Sequence, residues 1–286
     1  MKVLVTGVKG QLGHDVVNEL TKRGIGAVGV DVEEMDITDA DAVKRVITEA
    51  GVDAVIHCAA YTAVDMAEDN AEICRKVNVT GTGNIARTCK DLDIKMLYIS
   101  TEYVFNGEGD GEWVPEDKPD PKSVYGRSKA DGEKEVVREL DKYFIVRISW
   151  AFGVNGKNFV RTMLNLSKTR DTLNVVMDQV GSPTYTYDLA RLLVDMIQTE
   201  KYGFYHASNE GWCSWYDFAC AIFKEAGIKM TVNPVTTAEY TAAKAKRPAN
   251  SRMSKAKLIE AGFKPLPTWQ DALKRYLEAL RERGEL

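Results

Sequence analysis

Near its start the chain carries the pattern that most narrows its folding options. Lys2-Val3-Leu4-Val5-Thr6 reads as a short buried strand, Gly7, Gly10 and Gly13 follow at three-residue spacing, and a helical pattern runs from His14 to Lys22. Strand, glycine turn and helix in direct succession are the opening of a dinucleotide-binding unit. The glycines let the backbone turn tightly and approach a pyrophosphate, which rests on the unpaired amides and positive dipole end of the helix. Because the spacing is G-x-x-G-x-x-G rather than G-x-G-x-x-G, the motif draws its weight from its place between strand and helix; a purely structural turn is the competing reading.

The same beat continues along the chain. A second strand, Ala27 to Asp31, ends in a carboxylate 18 positions after Gly13, about where an acid meets the adenosine ribose, with a turn aspartate as the plainer alternative. Asp36 and Ile37 are placed to lie along an adenine, and Thr38 or Asp39 caps a helix over Ala40 to Ala50. Ala54 to Ala60 is a near-continuous apolar strand, as expected where helices cover both faces of a sheet, and its small residues Ala59 and Ala60 leave room for a cofactor. A helix around Ala71 to Cys89 carries Asn78, and a strand from Met96 to Ser100 leads into Thr101. Strands alternating with helices at this rhythm give an α/β fold, a doubly wound parallel sheet of the Rossmann type.

Residues 1–150 therefore read as a dinucleotide-binding domain and 151–286 mainly as a smaller substrate-binding domain. The second has expected helices at Asn158 to Lys168, Ser214 to Ala226 and Trp269 to Arg283, while a helix and strand within 185–207 return to the first domain's sheet. Gly107 to Pro121, rich in Gly, Pro and acids, reads as a mobile loop over the catalytic edge.

Tyr125 and Lys129 stand four apart on a predicted helix, so they share one face and bring a phenol beside an ammonium. A nearby cation favours the phenolate, which is expected to move the phenol down from about 10 toward a pKa suited to general acid catalysis. Taken alone, such a pair is more commonly an ordinary surface contact.

Composition closes off other classes. The chain has 286 residues with a formal net charge of -4, and its basic residues are interleaved with acids, so no nucleic-acid footprint is present. No long hydrophobic stretch marks a membrane span or leader. The five cysteines are odd in number and lack Cys-x-x-Cys spacing, which argues against disulfides or zinc and suits a reducing cytoplasm. His14, His57 and His206 are scattered and read as structural rather than as metal ligands.

Several motifs run together in one order: Gly10-Gln11-Leu12-Gly13, Ala60-Tyr61-Thr62-Ala63-Val64-Asp65, Ser100-Thr101-Glu102-Tyr103-Val104-Phe105, Arg147-x-Ser149-Trp150, Asn158-Phe159-x-x-Thr162-Met163, Asp178-Gln179-x-Gly181-x-Pro183-Thr184 and Arg247-Pro248-x-Asn250-Ser251. With Tyr125-x-x-x-Lys129 they resemble the extended short-chain dehydrogenase/reductases and, within them, the dTDP-4-dehydrorhamnose reductases, over nearly the whole chain. The pattern departs at Glu102, where those reductases usually carry Asp, and at Tyr61, where they often carry His.

The resemblance implies reduction of dTDP-4-dehydro-L-rhamnose to dTDP-L-rhamnose with NADH or NADPH. Thr101, Glu102, Tyr125 and Lys129 would be the catalytic set. Gly7, Gly10, Gln11, Leu12, Gly13, Asp31, Asp36, Ile37, Ala59, Ala60 and Tyr61 would hold the cofactor together with Tyr125 and Lys129. Thr62, Val64, Thr101, Glu102, Tyr103, Trp150 and Arg247 would hold the nucleotide sugar. Trp150 as plain core and Arg247 as the partner of a surface acid stay open. Asp31 favours NADH, because a carboxylate there would repel the 2′-phosphate of NADPH, with Lys9 as a compensating cation. Magnesium and a homodimer, both known among relatives, are left open. The rival readings are another nucleotide-sugar 4-ketoreductase or epimerase, and a non-catalytic subunit resembling the regulatory subunit of methionine adenosyltransferase.

Overall fold

The computed structural model describes residues 1–240 and 243–286. Six strands form one sheet: β1 (Lys2–Thr6), β2 (Gly26–Val30), β3 (Ala54–His57), β4 (Lys95–Thr101), β5 (Tyr143–Ile148) and β6 (Gly203–His206), in the order β6-β5-β4-β3-β1-β2. Every neighbouring pair is parallel. The strand order reverses beside β1, which lies between β2 and β3, and the crevice at the carboxyl ends of these strands is the expected ligand position in such a sheet.

Helices cover both faces, which explains the apolar character of the strands. On one face α1 (Gln11–Lys22) and α5 (Thr186–Ile197) bury Val16, Leu20, Leu189 and Leu193 against Val3, Val5 and Val146. On the other, α2 (Ala40–Ala50), α3 (Thr82–Asp91) and α4 (Val124–Glu139) bury Ile47, Ile85 and Val136 against Leu4, Val55 and Ile145. Asp39 caps α2, accepting from Asp41 and Ala42 amides, and Ser123 caps α4 through Gly126. A separate apolar cluster joins helix Phe159–Leu166, α6 (Trp215–Ala226) and α7 (Trp269–Glu282) through Val160, Phe218, Ile222, Leu273 and Tyr276.

The structure departs from the sequence reading in three places that bear on the site. The third strand stops at His57 instead of Ala60, because the amides of Cys58 and Ala59 turn to the Thr6 hydroxyl, at 3.1 and 3.0 Å, and leave the ladder. The helix expected over 71–89 is interrupted by a π-helical turn, Lys76–Gly81, around Asn78. Asn78 is turned inward, accepting from the Tyr61 amide at 2.8 Å and donating to Ser128 at 2.9 Å; such bulges are common at functional sites. The loop over 107–121 is pinned. Its Trp113 stacks on Phe105 and bonds the Asn250 carbonyl, and Pro115 O accepts from the buried Arg147.

Candidate active site

The glycine turn is shaped by two close approaches. Gly7 has φ +71°, the left-handed region, and a Cβ there would meet the Ala59 backbone at 2.9 Å; a Cβ on Gly13 would run into the Gly7 carbonyl. Side chains at these positions would fill the cradle. The first amides of α1 face the cleft above it, with no side-chain cap at Gly10. Gln11 lines the cleft, and its side-chain oxygen accepts from the Gly153 amide and from Asn158, at 2.8 and 2.9 Å, tying the start of α1 to the 153–158 segment.

Next to this turn is a hollow of about 210 Å³ lined by Thr6, Asp31, Met35, Asp36, Ile37, Ala59, Ala60 and Val77 among others. It has the apolar walls and acidic rim suited to an adenosine. Hydrogen bonds from the Thr38 amide and hydroxyl hold the Asp36 carboxyl below the usual range. Asp31 accepts from the amides of Lys9 and Val32, both at 2.9 Å, while the Lys9 ammonium is taken by Glu33 at 2.6 Å. Met35 and Val77 were not legible as lining residues, since nothing local distinguishes them from core.

Gly7, Asp31, Ala59 and Ala60 also border a larger cleft of about 920 Å³, which contains Gly10, Gln11, Leu12, Gly13, Thr62, Val64, Thr101, Glu102, Tyr103, Tyr125, Lys129 and Trp150. One continuous space thus brings nucleotide cradle and candidate acid together. The residues present fit a nicotinamide dinucleotide: small residues floor the path, and a helix N-terminus faces its middle.

At the far end Thr101 closes β4, donating its proton to Glu102 Oε2 at 2.6 Å and accepting the Tyr103 amide at 3.2 Å. Tyr125, in the first turn of α4, packs edge-on against Tyr103 with centroids 5.5 Å apart. The Lys129 ammonium donates to Ile99 O at 2.8 Å and lies 4.0 Å over the Tyr98 ring. Burial pulls Lys129 down to about 7. The expectation that Lys129 lowers the Tyr125 phenol is corrected by this geometry: the ammonium is turned away to a carbonyl and a ring, and burial first, then the Glu102 charge, raise the phenol. Burial also raises Glu102, to about 7.

Trp150, with φ +48°, stacks on Trp215 at 3.6 Å between centroids, and both line the cleft. Trp215 and Lys157 are lining residues that the motifs did not single out, and Phe159, named only within a motif, lines the cleft as well. Trp215 was readable as a helix start after the Ser214 cap, but its direction depends on where α6 packs.

Two assigned residues line neither the hollow nor the cleft. Tyr61 sits behind it, against Tyr125, with its backbone held on both sides by Asn78. Arg247 forms a two-point ion pair with Asp65, at 3.0 and 2.7 Å, so the surface-acid alternative describes its state here. Asp65 also accepts from the Lys244 and Ala245 amides, and these bonds, led by Arg247, hold its carboxyl down at about 2. Burial drives His57 and His206 down to about 3, so both are neutral. Among the described residues no group of three His, Cys, Asp or Glu side chains could hold a metal ion, and no helix is long and apolar enough to cross a membrane.

Comparison with known proteins gives a consistent set of matches. The family model described as RmlD substrate binding domain matches residues 1–282. A dTDP-4-dehydrorhamnose reductase of Aggregatibacter actinomycetemcomitans is 42% identical over 287 residues, covering 96% of this chain and 97% of that one. The spore coat polysaccharide biosynthesis protein SpsK of Bacillus subtilis (strain 168) is 40% identical, with 97% of each chain covered. Among solved structures, the dTDP-4-dehydrorhamnose reductase of Bacillus anthracis str. Ames, in complex with NADP, superimposes with a TM-score of 0.95 at 41% identity, covering 98% of this chain and 100% of that one.

Proposed function

From the premise that the chain belongs to the RmlD substrate binding domain family, we propose that it reduces the 4-keto group of dTDP-4-dehydro-L-rhamnose to give dTDP-L-rhamnose. The observation that carries this reading is the single cleft that joins the glycine turn, the Ala59–Ala60 floor and the Thr101–Tyr125–Lys129 group. A reduced nicotinamide dinucleotide, when bound, supplies the hydride. Tyr125 donates its phenolic proton to the sugar oxygen as the carbon is reduced; burial keeps that phenol protonated until the oxygen becomes basic enough to take it. Thr101 offers the same oxygen a second hydrogen bond. Lys129, four residues along the same helical face and held by Ile99 O, supports the developing tyrosinate through space rather than by direct contact. Trp150 and Trp215 form an aromatic wall for the sugar side. Arg247 can meet the diphosphate of the substrate only by giving up Asp65, which makes it an exchangeable anchor in this reading.

NADH is the favoured cofactor in this proposal. Asp31, Glu33 and Glu34 surround the ribose end, and Lys9 is already paired with Glu33, so a 2′-phosphate would meet net negative charge.

The test is consumption of NADH or NADPH, each tried in turn, with dTDP-4-dehydro-L-rhamnose against a panel of other 4-keto nucleotide sugars, with the product identified by NMR. Stoichiometric reduction of the first, faster than of any other, is expected. A faster alternative sugar would assign the chain to that substrate instead, a reading that the resemblance to SpsK supports. No net consumption with any of them would remove the reductase assignment.

A further inference from the structure

The contacts of Thr101 restrict what the proposed reaction can ask of it, and the argument here rests on that reaction. A hydroxyl has one proton and two lone pairs. In this site one lone pair takes the Tyr103 amide and the proton goes to Glu102 Oε2, at 2.6 Å, the length of a hydroxyl bound to an ionised carboxylate. So long as Glu102 is ionised, Thr101 has no proton for a substrate oxygen. Tyr125 neighbours the same hydroxyl and keeps its own proton. If Glu102 carries a proton, its carboxyl donates to Thr101 and fills the second lone pair. Thr101 and Tyr125 then each have a proton to direct at the cleft. We infer that Glu102 is a positioning residue: protonated, it arms Thr101 as a second donor beside Tyr125 to one substrate oxygen, and ionised, it disarms Thr101.

The surroundings suit this role. Glu102 is 4% exposed, and Thr101 is its side-chain hydrogen-bond partner. The titratable groups facing it are Tyr125 of α4 and Tyr103 of its own turn; beyond Tyr103 the Arg247 charge is engaged by Asp65, and Lys129 is turned to Ile99 O. Among the described residues no cation hydrogen-bonds the Glu102 carboxyl. Burial places its titration at about 7, so the change of state falls in the working pH range.

Two measurements on the whole enzyme test the inference. Carbon-13 NMR of the Glu102 carboxyl, assigned by its loss in Glu102→Gln, should titrate near pH 7. A midpoint in the ordinary range of about 4 overturns the inference, and does so without any substrate. In the pH profile of kcat/KM, both Glu102 and Lys129 lose protons above about 7, so the parent should fall by about two log units per pH unit above pH 8. Glu102→Gln, whose amide donates to Thr101 at every pH, should fall by about one log unit and exceed the parent by about tenfold at pH 8.5. Equal slopes, or a Glu102→Gln enzyme inactive across the range, overturn the role. Should the parent reduce no nucleotide sugar, the proposed reaction fails by itself, and the NMR midpoint still decides for or against Glu102.

Discussion

Two glutamates buried to nearly the same degree meet opposite environments. Glu133 on α4 and Glu102 after β4 are 3% and 4% exposed. Glu133 receives the Arg147 guanidinium on both oxygens at 2.8 Å and the Ser100 hydroxyl at 2.6 Å, while Arg147 lies between the Phe105 and Phe204 rings and donates onward to Pro115 O. Among the described residues Glu102 has one side-chain partner, the Thr101 hydroxyl, and no cation. Burial alone therefore does not decide whether a carboxyl is a fastening or a switch; the partners do. The paired glutamate ties sheet, helix and the 107–121 loop together, and the under-paired one lies beside Thr101 at the Tyr125 end of the cleft.

The contrast can be broken most forcefully at its paired member. Arg147→Ala strands the Glu133 charge in the interior and should cost about 3–5 kcal/mol in urea unfolding; a loss below about 1 kcal/mol would mean that the pair is not a fastening. At the other member, Glu102→Gln should stabilise the protein, and only at higher pH. The folded pKa of Glu102 lies above its unfolded value, so its contribution is complete below the unfolded pKa and is lost as pH rises through about 7. The variant should therefore match the parent near pH 4.5 and exceed it by up to about 3 kcal/mol at pH 8; a pH-independent difference would contradict the raised titration.

Tyr125→Phe separates chemistry from structure at the same end. It should lower kcat on the order of a hundredfold, about 2.7 kcal/mol, with cofactor affinity and the urea midpoint little changed, and near-parental turnover would remove Tyr125 as the acid. The smallest effect is expected at the nucleotide end. Asp31→Ala should move the ratio of kcat/KM for NADPH over NADH upward by about tenfold at fixed salt, and an unchanged ratio would count against the carboxylate as the discriminating group.

Legibility varied across the molecule in the same way as locality. The strand, glycine turn and start of α1 are contiguous, and the close approaches at Gly7 and Gly13 are demands that only glycine meets, so the nucleotide end could be read off residue types. The same was true of the Ser123 cap and the Tyr125–Lys129 spacing. The third strand and the helix near Asn78 were read too simply, because their interruptions come from Thr6, Tyr61 and Ser128, which are distant in the chain.

By itself the sequence determined the alternation of strands and helices, the glycine turn that opens it and the helical face shared by Tyr125 and Lys129. These follow from sterics and periodicity acting over a few neighbouring residues. Only the tertiary structure decided where the Lys129 ammonium points, that Arg247 is held by Asp65, that Trp215 backs Trp150 and that Glu102 is buried with Thr101 as its side-chain partner. Those outcomes depend on desolvation and on pairing between segments far apart in the chain, and neither exists until the whole chain has packed.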